Sequence, residues 1–358
     1  MRLSLGRRQG KFTGAIGVEF SLEYLHMVQL EHRDGGAQLR AARSVPLEAG
    51  FDELLADEAA FQKLVSKALK SGGFKGRRAV VSMPSSMTRV MSVNYQVNPG
   101  QSEGAAILQL MRDRIGDELA DFVVDFMPIN QETNAKDRAS LIAMCRKETV
   151  MQYLELLRRC GLKAEAMEIG PVAIKRLVDS LQTSGDASSA LVVNCGRAKS
   201  YITLISHKRL LSDDEVDYGE DGILEQISKA LDVDTELAAS LLQEAELGAD
   251  KPDDQTQTLL EIIRPELNKL VKEIERGLVY ATSENRGSSR AAVFLIGSMA
   301  RWNGADVLLS KLLQHPVTKI PDPLQPFIGK QKEGSRLRSG RPELAIAAGL
   351  ALRDFHNV

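Results

Sequence analysis

Side chains that commonly carry out chemistry form no complete catalytic or zinc-binding motif in this sequence. The five histidines lack HExxH spacing, and the three cysteines, Cys145, Cys160 and Cys195, lack CxxC spacing. The segment Ser82–Ser86 (SMPSS) lacks the GxSxG pattern of a serine hydrolase. A structural zinc site, a disulfide framework and a serine hydrolase are therefore all disfavoured.

Two short polar turns interrupt apolar runs that are predicted to be strands. The first contains Glu19, Ser21 and Glu23, and the second runs from Asn194 to Ser200 (NCGRAKS). Whether these groups act together depends on the elements that position them.

An internal duplication provides those elements. The chain contains two three-stranded units, each followed by a helix and later by a buried strand. The first unit comprises the predicted strands Ala15–Phe20, Tyr24–Leu30 and Gln38–Val45, the helix Glu58–Leu69 and the strand Arg78–Met83. The second comprises Ala190–Cys195, Ser200–Ser206 and Leu210–Tyr218, the helix Glu220–Leu231 and the strand Ala291–Ile296. Each polar turn thus joins the first two strands of one unit.

Two further segments are predicted to be insertions into this duplicated core. The first combines a helix that carries Leu108, Met111, Ile115 and Leu119 on one face with a strand and a second helix. The second is almost entirely helical, and Pro265 is predicted to open its last helix. The resulting division is a first core subdomain (1–87 and 163–187), an inserted α/β subdomain (88–162), a second core subdomain (188–218 and 288–358) and a helical inserted subdomain (219–287).

Composition limits the class of protein. The 358 residues include 46 Lys and Arg against 48 Asp and Glu, so nucleic-acid binding through bulk charge is disfavoured. The longest apolar run, Leu344–Leu352, is too short to cross a bilayer, and the basic start has no apolar core of secretory length. The three cysteines fit a reducing compartment. We expect a soluble, cytoplasmic, multidomain α/β protein.

The duplicated units resemble the actin-like ATPases, whose fold consists of two ribonuclease-H-like halves around a nucleotide cleft. Within that superfamily the sequence resembles the type IV pilus assembly protein PilM family, which is related to FtsA. The resemblance covers nearly the whole chain and is carried by six segments in the same order: Ile16–Leu30, Met167–Leu177, Ala190–Ile205, Ile223–Leu242, Phe294–Pro323 and Glu343–Phe355. It implies an α/β, actin-like fold in which each half carries one inserted subdomain.

The resemblance also implies a site for ATP and Mg²⁺. The two polar turns would face each other across the cleft and hold the phosphates, while a glycine-containing turn would hold the adenosine. Glu19 is the implied metal-site residue, acting through a bound water, and no catalytic residue is assigned. Carried over position by position, the implied nucleotide-binding residues are Glu19, Ser21, Asn194, Gly196, Lys199, Ser200, Gly297, Ser298, Met299 and Gly304.

Both turns depart from the family pattern. The family's first turn is roughly Asp-x-Gly-Ser, whereas this chain has Glu19, then Ser21 or Leu22, then Glu23. If Glu23 turned inward it would oppose a phosphate, since two unit charges about 4 Å apart cost roughly 4 kcal/mol at an effective dielectric near 20. Asn194 replaces the acid of the second turn. We therefore expect no efficient hydrolysis; a weakened nucleotide site and a turn kept only for its hairpin geometry are both compatible with these residues.

For function, the resemblance implies a scaffold at the cytoplasmic face of a bacterial inner membrane, and it leaves oligomer formation open. Such proteins bind the N-terminal tail of the membrane protein PilN and couple to the platform and motor of the pilus. In the family the tail lies between the first core subdomain and the first insertion, which corresponds here to surfaces from Ala79 to Leu162. Individual groove residues are not assigned.

Other members of the superfamily are alternatives. An active actin-like ATPase or a sugar or acyl kinase needs acids in the cleft, which Glu19 and Asn194 alter. An FtsA-like division protein needs a linker and an amphipathic helix after its core, whereas this sequence ends at Val358, a few residues past its last predicted helix. Scaffolds of an MSHA-type pilus or a type II secretion system, such as MshI or the cytoplasmic part of GspL, share the fold and stay open.

Overall fold

Two five-stranded sheets with the same strand order form the two halves of the molecule. The computed structural model describes residues 12–33, 36–129, 137–181, 189–284, 291–320, 322–328 and 342–355. The basic start of the sequence lies outside these ranges. The duplicated α/β core predicted from the sequence is confirmed, with one inserted segment in each half.

The first half begins as an antiparallel meander and continues with two parallel strands. Its strands are β1 (Thr13–Phe20), β2 (Tyr24–Arg33), β3 (Gly36–Pro46), β4 (Arg78–Met83) and β8 (Lys163–Ile169), in the order β3-β2-β1-β4-β8. The helices α1 (Phe51–Ala56) and α2 (Glu58–Gly72) connect the meander to β4. Strand β1 is covered on both faces, which explains why it is an almost continuous apolar run.

The second half repeats this plan. Its strands are β9 (Ser189–Cys195), β10 (Ser200–Ser206), β11 (Arg209–Val216), β12 (Ala292–Gly297) and β13 (Val317–Lys319), in the order β11-β10-β9-β12-β13. The helix α9 (Ala305–Leu313) connects the last two strands. As in the first half, β12 is parallel to β9, and the polar turn lies between β9 and β10.

The first insertion contains a small antiparallel sheet and a helix. The strands β5 (Thr88–Gln96), β6 (Phe122–Pro128) and β7 (Asp137–Arg146) pair in the order β5-β7-β6. Helix α3 (Glu103–Ile115) covers this sheet, and the hydroxyl of Ser102 caps it by accepting a hydrogen bond from the N–H of Ala105 at 3.2 Å.

Helix α4 (Lys147–Arg159) follows β7 but packs on the first core. Its buried side chains Tyr153, Leu156 and Leu157 join the apolar cluster formed by β1 and α2. The subdomain boundary expected at residue 162 stays a prediction; by packing alone, the inserted sheet ends with β7. An apolar helix face predicts burial but does not specify which sheet buries it.

The second insertion consists of α6 (Glu220–Leu231), α7 (Thr235–Glu244) and α8 (Asp254–Glu284). The expectation that Pro265 opens the last helix is wrong, because α8 begins eleven residues earlier and continues through the proline. The buried residues Leu259 and Ile263 extend the apolar stripe upstream of Pro265. Their burial on the second core offsets the backbone hydrogen bond that a proline removes.

Two helices connect the halves and cross each other at small residues. These are α5 (Gly170–Leu181), which follows β8, and α10 (Ala345–Ala351), which returns to β1. A Cβ at Gly17 of β1 would lie 2.2 Å from the carbonyl oxygen of Ala347, and a Cβ at Gly349 would lie 2.0 Å from that of Ala173. Only glycine permits these approaches, which place the start of α10 beside the end of β1.

Candidate functional site

A cleft opens between the halves where β1 and β9 end, and both polar turns line it. Its empty space amounts to about 1050 Å³, part of which is open solvent. The structure therefore brings the two turns together, as the resemblance implied. Of the ten implied nucleotide-binding residues, the following line the cleft: Glu19, Ser21, Asn194, Gly196, Lys199, Gly297 and Ser298.

Glu19, the implied metal-site acid, is buried and caps a helix. Its Oε2 accepts a hydrogen bond from the N–H of Ala347, in the first turn of α10, at 3.1 Å. Burial raises the pKa of Glu19 to about 8, against the lowering effect of the Ala347 hydrogen bond and with a smaller raising effect from the charge of Glu343. A carboxyl group that is mostly protonated at neutral pH is a poor ligand for Mg²⁺ or its water. The expected metal role of Glu19 does not fit this geometry.

The hydroxyl of Ser21 is used by its own hairpin. Its Oγ accepts hydrogen bonds from the N–H of Tyr24 at 3.1 Å and from the N–H of Glu23 at 3.4 Å, and it lies 3.1 Å from the carbonyl oxygen of Tyr24. Serine commonly forms such turns with the residues that follow it. Two N–H groups of the first turn are thus bonded to Ser21 instead of facing the cleft.

The second turn is held by backbone groups and by the start of α6. The N–H of Gly196 donates to the carbonyl oxygen of Lys199 at 3.1 Å. The N–H groups of Glu220 and Asp221 donate to the carbonyl oxygens of Gly196 at 3.1 Å and Arg197 at 3.0 Å. The first N–H groups of a helix lack partners within the helix and often bind anions, but here two of them bond to the turn.

Asn194 and Gly297 meet at the wall of the cleft beside the second turn. Gly297 has a φ of +80°, and a Cβ there would lie 2.8 Å from Oδ1 of Asn194 and 2.1 Å from the carbonyl oxygen of Cys195. The position therefore requires glycine for its backbone conformation and for space. Ser298, the next residue, is buried, and its Oγ lies 3.5 Å from the carbonyl oxygen of Gly196.

Ser200 and Met299, which the resemblance placed in the nucleotide site, lie behind the cleft wall. The Oγ of Ser200 is buried and donates to the carbonyl oxygen of Tyr218 at 2.8 Å. The sulfur of Met299 packs 3.8 Å from the hydroxyl of Tyr218 and 4.0 Å from Sγ of Cys195. Both side chains are thus engaged inside the second half, and their expected contact with a nucleotide stays a prediction.

Gly304 also lies outside the lining of the cleft. It precedes α9 with a φ of +73°, and a Cβ there would lie 2.3 Å from the backbone nitrogen of Gly248. Gly304 thus has a packing role at the start of a helix, and its expected contact with adenosine stays a prediction. A glycine needed for helix packing and one needed for ligand approach look alike in a sequence.

Arg197 of the second turn is bonded to two carboxylates. It forms an ion pair with Glu23 of the first turn, across the mouth of the cleft, and its Nε donates to Asp221 Oδ1 at 2.6 Å. These partners raise the pKa of Arg197, although burial opposes them. Glu23 therefore faces the cleft mouth, and the cation that it meets there is a side chain of the opposite half.

Lys199 is engaged in the same way. Its Nζ lies 3.2 Å from Oε1 of Glu215 and 3.3 Å from Oδ1 of Asp217. The hydrogen bonds with these two carboxylates raise the pKa of Lys199. Both cations that the sequence offered for phosphate are thus paired with acids of the chain itself.

A network that sequence reasoning missed lines the cleft beyond Gly297. Arg301 pairs with Glu220 at 3.0 Å and with Glu343 at 2.6 Å. The indole N–H of Trp302 donates to Glu220 Oε1 at 3.1 Å. Glu220 is the first residue of α6, where an acid is common for reasons of helix polarity, so its position in sequence gave no sign of these partners.

A second groove adjoins the cleft, between β5, the turn from β8 to α5, and the outer strands of the second half. Its lining includes Thr88–Met91 of β5 and Ile169–Pro171, together with Tyr201, Asp213 and Glu215. Asp213 Oδ1 accepts a hydrogen bond from the Thr203 hydroxyl at 2.6 Å, and burial raises the pKa of Asp213 to about 6. The groove and the cleft share Met83, Ser85, Gly170, Pro171, Tyr201 and Asp213.

ATP with Mg²⁺ fits these residues poorly. Glu19 caps a helix in a mostly protonated form, and Asn194 carries no charge. Among the described residues, no group of three or more His, Cys, Asp or Glu side chains is arranged to hold a metal ion. The side chains of Ser21, Arg197 and Lys199 and several N–H groups of the two turns are bonded to the chain itself. The geometry therefore assigns no step of phosphoryl transfer.

The fold and the cleft define the class of protein, that of the actin-like ATPase fold, and solved structures agree. The "PilM-PilN type IV pilus biogenesis complex" matches with a TM-score of 0.74 and 21% identity over 95% of this chain and 98% of that chain. The ethanolamine utilization protein EutJ from Carboxydothermus hydrogenoformans matches with a TM-score of 0.51 and 14% identity over 95% and 89% of the two chains. MreB 5 of Spiroplasma citri, bound to AMPPNP, matches with a TM-score of 0.50 and 10% identity over 87% and 93%.

The family follows from the sequence comparison. The profile of the family described as "Type IV pilus assembly protein PilM" matches residues 17–355, nearly the whole chain. The chain belongs to this family. Within the ranges that the structure describes, no helix combines the length and the apolar character needed to span a membrane.

Proposed function

We propose that this protein is a cytoplasmic scaffold of a type IV pilus assembly platform, and that it binds the N-terminal tail of a PilN-like inner-membrane protein. Membership of the PilM family supports the pilus role, and the solved PilM-PilN complex reported above contains PilN as the partner. In this proposal the nucleotide cleft is a degenerate site, and the protein works by holding partners together, including the platform and the motor.

The observation that carries the proposal is the groove beside β5. Four consecutive residues, Thr88–Met91, line it, and β5 is an edge strand of the inserted sheet. An extended peptide can pair with such an edge through its backbone while its side chains enter pockets. Arg89 is exposed on one side of the groove and Glu215 on the other, so polar side chains of the tail have partners.

The insertion is braced against the second half, which gives the groove fixed walls. The Ser92 hydroxyl donates to the carbonyl oxygen of Leu211 at 3.1 Å, and Nη1 of Arg209 donates to that of Ile129 at 2.8 Å. A groove whose walls are held before binding loses less conformational entropy when the tail is captured.

A titration with a synthetic peptide tests this function. The peptide has the first residues of a PilN-like inner-membrane protein, and it is titrated with and without ATP. Arg89→Glu is expected to weaken binding by about tenfold or more, because it reverses a charge at the groove. Arg112→Glu on α3 makes the same change away from the groove and is the control. Absence of binding in both conditions contradicts the scaffold function.

The neighbouring genes test which system is served. Genes for small proteins with a single membrane span, followed by pilus motor genes, are expected beside this one. Neighbours that encode a type II secretion system or an MSHA-type pilus would transfer the same scaffold function to that system.

A further inference from the structure

Glu23 forms the ion pair that joins the two polar turns, and this pair is partly exposed. The side chains of Arg197 and Glu23 are 42% and 35% accessible to solvent. Exposed pairs of this kind contribute little to the free energy of folding, because water and salt screen them. The pair matters more for binding, because Glu23 occupies a guanidinium that could otherwise bind an anionic ligand.

Arg197 is the group at the turns best suited to bind phosphate. A guanidinium donates two parallel hydrogen bonds to a carboxylate or a phosphate in the same geometry. Several other donors of the turns are already bonded, since the Ser21 hydroxyl accepts hydrogen bonds from the N–H groups of Glu23 and Tyr24, and the carbonyl oxygen of Lys199 accepts one from the N–H of Gly196. A phosphate that approached the turns would have to displace Glu23 from Arg197 or remain in contact with its negative charge.

We infer that Glu23 is a specificity-determining residue that competes with phosphate groups for Arg197 and so discriminates against phosphorylated nucleotides in the cleft. This inference deepens the proposed function, because it takes the cleft to be a degenerate nucleotide site. It does not depend on capture of the tail, which occurs in the adjoining groove.

The inference predicts how affinity for the cleft depends on the number of phosphates in the ligand. Adenosine has no group that meets Glu23, so its affinity is independent of this residue. ADP and ATP bring two and three phosphates towards Arg197, and repulsion by the Glu23 carboxylate grows with their charge. The native protein therefore favours the less phosphorylated ligand, which is the reverse of the preference of a triphosphate-hydrolysing site.

Calorimetric titration of three proteins with adenosine, ADP and ATP tests the inference, in buffer of fixed ionic strength containing EDTA. The proteins are the native chain, Glu23→Gln and Glu225→Gln. The control removes the same charge from an exposed ion pair of α6, that of Glu225 with Lys229. Glu23→Gln is expected to raise ATP affinity by about tenfold or more, to raise ADP affinity less and to leave adenosine unchanged. Glu225→Gln is expected to match the native chain.

The double variant Glu23→Gln with Arg197→Gln identifies the group for which phosphate competes. It is expected to lose most of the gain in ATP affinity, and retention of the full gain would overturn the role of Arg197. The inference is also overturned if Glu23→Gln binds ATP no more tightly than the native chain, or if adenosine gains as much as ATP. Titration of the tail peptide against the same proteins is expected to be unchanged by Glu23→Gln, so a failure of peptide capture is seen separately from a failure of this inference.

Discussion

The two halves share one topology but use equivalent positions differently. Glu19 and Asn194 both form the second-last pair of their hairpins, opposite His26 and Tyr201. Glu19 is buried and caps α10, whereas Asn194 stays at the cleft wall beside Gly297. The comparison shows that a duplicated backbone preserves the location of a turn without preserving the chemistry of the residue beside it.

Gly17 and Val192 are a second equivalent pair, two residues before Glu19 and Asn194. Gly17 lies directly beneath α10, while Val192 is buried in the apolar cluster of the second half. The first half thus accepts a helix from the far end of the chain, and this contact explains why its β1 differs from β9. Four experiments measure how much each difference between the halves contributes to the free energy of unfolding.

The largest expected difference concerns the buried ion pairs. Glu168 of the first half pairs with Arg176 at 2.9 Å, and both side chains are buried. Glu168→Gln is expected to lower the free energy of unfolding by about 3–5 kcal/mol, because it leaves Arg176 buried beside a neutral group. Urea denaturation followed by circular dichroism measures this.

Glu220→Gln is the matched change in the second half. Its partner Arg301 is 38% exposed and keeps Glu343, so a smaller loss is expected. Equal losses for the two variants would contradict the view that the first half depends more on its buried pair.

The next effect concerns the space beneath α10. Gly17→Ala is expected to cost about 3 kcal/mol, because the new Cβ would collide with the backbone of Ala347 and Ala351. The Cβ added by Gly222→Ala in α6 would have no atom within 4 Å, so this control is expected to leave stability unchanged or to raise it slightly. A Gly17→Ala protein with the native urea midpoint would show that α10 does not pack on β1 in solution.

The third effect depends on pH. The pKa of Glu19 is about 8 in the folded protein against an ordinary value of 4.5, so the folded state holds the proton more tightly. Its contribution to stability is complete below pH 4.5 and is lost as the pH rises through 8. Glu19→Gln copies the neutral character of Asn194 and removes this dependence.

Unfolding free energies at pH 5 and pH 9 check that expectation. Relative to pH 5, the native chain is expected to lose on the order of 4 kcal/mol more than Glu19→Gln by pH 9. Parallel pH profiles for the two proteins would show that Glu19 is not buried as a neutral acid.

The smallest effect compares the turns themselves. Ser21→Ala is expected to cost about 1 kcal/mol, since it removes the hydroxyl that accepts hydrogen bonds from the first turn. Lys199→Met in the second turn removes only exposed ion pairs and is expected to leave the urea midpoint unchanged. If Lys199→Met lowered the urea midpoint more than Ser21→Ala, the second turn would depend on its side chains more than the first turn does.

Local patterns in the sequence predicted most of the core. The strands from Ala15 to Leu30 and from Ala190 to Ser206 are apolar runs broken by a short polar turn, and the structure confirms them as β1, β2, β9 and β10. Such patterns are visible because burial on both faces of a sheet acts on neighbouring residues. The three-residue β13 has too little pattern to be recognised in this way.

Contacts between distant residues were not predictable from the same patterns. Glu23 and Arg197 are separated by 174 positions, and Glu19 caps a helix 328 positions away. Glutamate at positions 19 and 23 is equally compatible with a solvated turn and with a ligand-binding turn. Their partners follow only from the arrangement of the two halves, which the resemblance implied in outline but not at the level of side chains.

The contact between Gly17 and α10 also has a consequence for synthesis of the protein. The strands of the second sheet all lie between residues 189 and 319, whereas β1 near the start of the chain receives its covering helix from residues 345–351. During translation the α10-facing side of β1 therefore stays open until that helix has left the ribosome. Contacts between residues so far apart are slow to form, and exposed apolar surface favours aggregation in the meantime. The half that is made first thus waits for the last helix of the chain before β1 is covered.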